Sequence, residues 1–275
     1  MKKHVSTIAL VLVLLTGLAL LLYPTFAEIW NSMNQTRAIA SYMDTVSGMD
    51  RVSYESLWSA AHEYNETLVG RGMERFSLSD EEREEYESLL DVTDIGVIGY
   101  IEIPKLDTRM AIYHGTDESV LQIAIGHIEG SSLPVGGKGT HCVLSGHRGL
   151  PSARLFTDID QLEEGDTFQL YILDEVLTYE VDQIVTVLPD DADQLAIDPE
   201  QDYCTLATCT PYGVNSHRLL VRGHRIETPQ EETPVHIISG ARQIGRAYVA
   251  ACVAVPIALI LLFVLLIVWL FRRRA

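Results

Sequence analysis

Thr205-Leu206-Ala207-Thr208-Cys209 is an apolar, β-prone run that ends in a cysteine and then breaks at Thr210-Pro211-Tyr212-Gly213. The threonines and leucine suit a pleated surface, and the proline and glycine mark the turn that stops it. Nine residues past the cysteine, Arg218 heads a second run, Leu219-Leu220-Val221. Well upstream, His147 ends a third, Cys142-Val143-Leu144-Ser145-Gly146-His147. The ends of three short strands thus carry a thiol, an imidazole and a guanidinium.

Further runs of this kind surround them. Val97, Tyr100 to Ile103 and Met110 to Tyr113 read as strands, with Pro104 breaking the chain between the last two. Others read at His141–Leu144, Thr167–Leu173, Val176–Val187, Tyr203–Thr208 and Arg218–Arg222. Glu118 to Ile125 reads as a short helix, as does Asp158 to Leu162. Seven or eight short strands within about 130 residues predict a mainly β fold, a closed or nearly closed barrel spanning residues 95–227. Residues 28–94 differ: Ala38 to Met43, Leu57 to Leu68, and a segment opened by Ser79-Asp80-Glu81-Glu82 read as helices. Ser79 is placed to cap the last of these, with acidic residues in its first turn. This region is a helical collar, and residues 228–247 read as a linker.

Both ends are apolar. Val5 to Tyr23 follows Lys2 and Lys3, and as a helix spans about 28 Å, close to the hydrocarbon thickness of a bilayer. Residues 1–27 therefore read as a cytoplasmic tip and membrane anchor; the alternative is a cleaved signal peptide with Thr25-Phe26-Ala27 as a poor cleavage site. Tyr248 to Phe271 carries no charge and precedes Arg272-Arg273-Arg274, so residues 248–275 read as a second span with a basic tail. Basic residues flank both runs on their terminal sides, which predicts two cytoplasmic termini and an external domain between two spans.

Setting those terminal charges aside leaves 15 basic residues against 38 acidic ones. So acidic a domain excludes nucleic acid as an expected partner, because phosphate must be met by basic patches. It suits a solvated surface, or a basic substrate or partner. There are four cysteines: Cys142, Cys204, Cys209 and Cys252. Cys252 lies within the second apolar run, which leaves an odd number outside and at least one thiol free or paired between molecules. No CxxC or CxxH spacing occurs, so no metal site is expected.

The strand-end trio suits acyl transfer. Cysteine attacks as thiolate, histidine relays protons near neutral pH, and arginine presents fixed positive charge where oxyanion charge develops. Cys209, His147 and Arg218 are the candidate catalytic residues. Each has a plainer reading: a buried thiol, a core imidazole, a surface charge. Among the neighbours of Arg218, strand parity puts His217 on the opposite face and Arg222 on the same one.

The run Thr205 to Cys209 resembles the TLxTC signature of the sortases, cysteine transpeptidases. Gly146-His147-Arg148-Gly149 resembles their histidine motif, and Asn215-Ser216-His217-Arg218-Leu219-Leu220-Val221 their arginine strand. Ile112-Tyr113-His114-Gly115-Thr116 and Ser132-Leu133-Pro134-Val135-Gly136-Gly137 match as well. The likeness extends from about Ile95 to Ile226 and, with Thr210 to Asn215 and two apolar ends, is nearest to class C, the pilin polymerases. It implies that Cys209 attacks the Thr–Gly bond of an LPxTG-like sorting signal, that His147 protonates the leaving amine, and that Arg218 orients substrate and oxyanion. The partners implied are pilin subunits carrying that signal and an acceptor lysine; no cofactor is implied. Class C sortases usually carry an Asp-Pro-aromatic lid before the barrel, and residues 28–94 contain no Asp-Pro; Glu74-Arg75-Phe76 is a candidate substitute, an acid for Arg218 and an aromatic for Cys209. The resemblance also implies that the His147 and Cys209 strands are parallel neighbours. Cys142 and Cys204, each five residues before a catalytic residue, would then lie at one level, either bridged or as two separately buried thiols.

Overall fold

The computed structural model describes residues 2–93 and 95–229. The second apolar run and nearly all of the linker lie outside the described residues. Helix α1 covers Lys2–Ser47 with Pro24 inside it, and contains a stretch long and apolar enough to cross a membrane. The N-terminal apolar run and the first predicted collar helix are thus one element. Helix α2 covers Arg51–Leu68, with the Asp50 carboxylate accepting from Ser53 N at 2.8 Å. Helix α3 covers Asp80–Ser88 and is closed by the expected Ser79 cap, with Glu82 reaching back to Ser79 N at 2.9 Å.

Eight strands follow: β1 (Val97–Ile103), β2 (Thr108–His114), β3 (Ile125–His127), β4 (Thr140–Ser145), β5 (Thr167–Ile172), β6 (Glu175–Val187), β7 (Asp202–Thr210) and β8 (His217–Ile226). They close into a barrel in the order β1-β2-β3-β4-β7-β8-β6-β5. Two neighbouring pairs, β2/β3 and β4/β7, are parallel. The predicted helix from Glu118 to Ile125 is a correction. Helix α4 covers only Glu118–Leu121, and Ile125 opens β3. Ile123-Ala124-Ile125-Gly126-His127 is too short for its period to separate helix from strand. Gly126 is needed there because a Cβ would collide with the Gly115 carbonyl.

Inward side chains fill the barrel, among them Ile101, Leu144, Phe168, Leu206 and Val221. The outside of β1 and β2 is covered as well. Ile39 and Tyr42 of α1 pack on Val97, Tyr100 and Ala111, which is why β1 is an almost unbroken apolar run rather than an alternating one. Polar contacts fix the helix in place. Ala111 N donates to Gln35 Oε1 at 2.7 Å, and Gln35 Nε2 donates to Ile123 O at 2.6 Å. The Tyr42 hydroxyl donates to Ile98 O at 3.1 Å and accepts from Leu173 N at 2.7 Å.

A second outer cluster lies across the barrel, where Val143, Ala207 and Leu220 are covered by Leu195 in the β6–β7 connection. His141 ties that connection down: its Nδ1 donates to Ala196 O at 2.9 Å and its Nε2 accepts from Thr205 Oγ1 at 2.7 Å. Burial pushes the His141 imidazole down to about 4, so it is neutral in the fold. Burial does the same to His114, also to about 4.

Two expectations follow. Tyr42→Phe strands a buried carbonyl and a buried N–H, and costs about 1–3 kcal/mol in a chemical denaturation curve. Both histidines bind protons more readily unfolded, so stability is full above pH 6.5 and falls as the pH drops toward 4, by about 1.4 kcal/mol per pH unit for each group. Denaturation midpoints for His141→Gln between pH 7 and 4.5 should show a shallower fall, by one proton's worth; an unchanged slope would show that His141 does not carry it.

Candidate active site

The parallel pairing of β4 with β7 places the three candidate residues. Its register runs from Thr140↔Asp202 to Ser145↔Ala207. Leu144 and Leu206 therefore face the barrel interior, while Val143 and Ala207 face outward together. Cys209 lies two residues beyond Ala207 on β7 and so shares its outward face; His147 follows two residues after Ser145, the last residue of β4. Antiparallel β8 completes the row, with Cys209 directly opposite Arg218. All three sequence candidates are thus brought to one end of one sheet face.

The turns that carry them are bound to each other. Gly146 N donates to Ala207 O at 3.1 Å, and the buried Thr208 hydroxyl donates to Gly146 O at 2.7 Å. Phe156 N donates to His147 O at 3.2 Å. Position 146 must be glycine because a Cβ would sit 2.6 Å from Ile125 and 2.7 Å from Phe156. Beyond the cysteine, the Tyr212 ring lies against Gly149, and the Arg148 guanidinium pairs with Asp160 while its Nη1 donates to Thr210 Oγ1 at 3.4 Å. Arg148 therefore joins the turn after His147 to the turn after Cys209.

Burial separates the three described cysteines. Cys142 and Cys204 are buried, whereas Cys209 is partly open to solvent. His147 Nε2 lies 3.7 Å from Glu118 Oε2 at the start of α4. The Gln122 amide, and then His147, hold the Glu118 carboxyl below the usual carboxylate range. The sequence reading missed Glu118 as a partner, because nothing local links an acid on the β2–β3 connection to a histidine past β4.

The arginines divide clearly. Arg222 is on the Arg218 face, as parity predicts, but it pairs with both Asp182 oxygens at 2.9 and 3.0 Å and stacks over Tyr203. Arg218 donates only to carbonyls of its own turn, His217 O at 3.2 Å and Asn215 O at 3.5 Å. Its charge meets no carboxylate among the described ion pairs. His217 bonds its neighbour Ser216 and faces away in register with Thr210.

The expected substitute lid, an acid for Arg218 and an aromatic for Cys209, is not seen in the described contacts. Glu74 turns back to accept from Gly72 N at 3.0 Å and makes no bond to Arg218. A buried Arg75 instead spans two barrel connections, donating to Gly130 O at 2.9 Å and Leu195 O at 2.6 Å with its guanidinium over Phe76. The segment is a strap across the outer face, held by its arginine rather than its acid.

A Sortase domain model matches residues 101–226, which hold His147, Cys209 and Arg218. Sortase D of Bacillus subtilis (strain 168) is 31% identical over 131 residues, covering 46% of this chain and 63% of that protein. The match thus spans a little under two thirds of that relative. Among solved structures, sortase C1 of Streptococcus agalactiae is 53% identical with a TM-score of 0.68, over 70% of this chain and 100% of the other. Sortase C of Streptococcus pneumoniae is 45% identical with a TM-score of 0.61, over 70% of this chain and 97% of the other. With that barrel and that row of thiol, imidazole and guanidinium, the chain belongs to the sortase family, and its structural neighbours at these identities are sortases C.

Proposed function

We propose that the chain is a membrane-anchored cysteine transpeptidase that joins pilin subunits. The observation that carries this reading is the pairing of Cys209 with Arg218 across β7 and β8, with His147 at the end of parallel β4. The Cys209 thiolate attacks the Thr–Gly carbonyl of an LPxTG-like sorting signal. Arg218 faces the oxygen on which negative charge develops, and its freedom from carboxylate partners leaves it able to meet that charge. His147 gives a proton to the departing glycine amine, and the peptide is left as a thioester on Cys209. A lysine amine of another subunit then attacks the thioester, its proton passes to His147, and the thiolate leaves as an isopeptide bond forms. Two easier transfers replace one difficult one, and the exchanged bonds supply the driving force.

The pilin substrate is supported by the likeness to the pneumococcal sortase C, whose structure was described in terms of pilin substrate specificity. Placement on the outer surface rests on the apolar stretch of α1 and on the basic residues flanking both apolar ends.

Incubation with a labelled LPxTG peptide tests the chemistry. Wild type accumulates a thioester adduct on Cys209, seen by mass spectrometry, and passes it to a lysine-bearing pilin domain. Cys209→Ala forms no adduct. Arg218→Ala loses roughly 10²–10³ in kcat, while Arg222→Ala loses stability more than turnover. Full polymerisation by Cys209→Ala would sink the assignment, and an adduct that passes only to a cell-wall amine would reassign the acceptor.

A further inference from the structure

Cys142 and Cys204 take no part in the chemistry above. They are register partners on the parallel strands β4 and β7. Both belong to the barrel core, whereas Cys209, an odd number of residues beyond Cys204 on β7, points outward. Cys142 and Cys204 are free thiols in the structure, with exposures of 2% and 0%. One buried cysteine is an ordinary small core residue. Two facing each other across a single strand spacing are something else. Neighbouring strands lie about 4.7–4.9 Å apart, within the roughly 4.4–6.8 Å of Cα separation that a disulfide spans.

We propose that Cys142 and Cys204 are joined by a disulfide in the exported protein, a covalent tie between the two strands that carry His147 and Cys209. The inference rests on the outward placement proposed above, since thiol pairs are oxidised and stay so outside the cytoplasm. The oxidant is a thiol–disulfide oxidoreductase of that compartment. One cysteine thiolate attacks the disulfide of the oxidoreductase and forms a mixed disulfide. The second thiolate then displaces the oxidoreductase, closing the Cys142–Cys204 bond. Two electrons and two protons pass to the pair of thiols on the oxidoreductase. Because both sulfurs are sealed in the finished barrel, the exchange precedes the closing of β4 on β7. Once made, the bond is shielded from external reductant, and Cys209 remains the one described thiol open to substrate. The two cysteines are positioning residues: the bond holds the register that sets His147 beside Cys209.

The test uses full-length Cys209→Ala protein from the membranes of cells that export it, denatured in N-ethylmaleimide without reductant and digested with trypsin. The expected product is peptide 139–148 joined to peptide 155–218, 2 Da lighter than the sum of the two, free of maleimide at Cys142 and Cys204, and split by reductant. In parallel, wild-type cells are labelled at Cys209 with a membrane-impermeant maleimide. Alkylation of both Cys142 and Cys204 in the unreduced chain overturns the bridge. If Cys209 is labelled from outside, the strand geometry is at fault; if it is not, the outward placement is. Paired Cys142→Val and Cys204→Val substitution, which keeps the core filled, should lower Tm by roughly 10 °C relative to the oxidised protein, the scale expected for a ring of this size. An equal Tm with and without the pair counts against the tie.

Discussion

The candidate site of this chain depends on the parallel pairing of β4 with β7. These strands are about sixty residues apart in sequence and belong to no hairpin. Their register decides whether His147 and Cys209 meet, because a slip of one residue would turn one side chain into the barrel and leave the other outside. Several contacts enforce the register. Leu144 and Leu206 are packed inside, His141 and Thr205 are hydrogen-bonded outside, and Gly146 is bonded to Ala207 and Thr208 at the catalytic end. The last contacts matter most for chemistry, since they fix the backbone one residue before His147 to the strand that delivers Cys209.

The rest of the barrel keeps that pair from moving. Antiparallel β8 is paired on both sides, with β7 and β6, and brings Arg218 to the cysteine without a long flexible arm. The outer face beyond the site is not left as bare strands. Leu195, Ala196 and Arg75 fasten the β6–β7 connection and the N-terminal strap over it through carbonyl hydrogen bonds. On the far side α1 performs the same service for β1 and β2, and it does so as a continuation of the apolar segment. One helix therefore ties the orientation of the barrel to that of its stem.

What was legible in the sequence was local. Ser79 with Glu82 announced a helix start, and Thr205 to Gly213 announced a strand and its stop; both are in the structure. Strand parity correctly put Arg222 on the Arg218 face and His217 on the other. The candidate trio needed more than propensity, because its members are gathered by pairings between distant strands. It was the likeness of several motifs in order that linked them. What stayed hidden had no local signal. The three residues of β3 are too few to show a period, the contact of Glu118 with His147 depends on where α4 lands, and the turn of Glu74 toward Gly72 depends on where Arg75 is anchored.

The arginines show how an acidic protein can keep a cation available beside a thiol. With 38 acidic residues in the chain, most guanidinium groups among the described residues find a carboxylate. Arg222 is taken by Asp182 and Arg148 by Asp160, although both lie near the candidate row. Arg75 is buried on two carbonyls, beyond the reach of a substrate. Arg218 is held by carbonyls as well, but at a strand end opposite the thiol and partly open to solvent. Carbonyl partners orient a guanidinium without neutralising it, so its full charge is kept for an anionic oxygen. A carboxylate paired with Arg218 would compete with the transition state for the same donors. The geometry that sets Arg218 opposite Cys209 with its charge unneutralised is therefore the one that the proposed acyl transfer at Cys209 calls for.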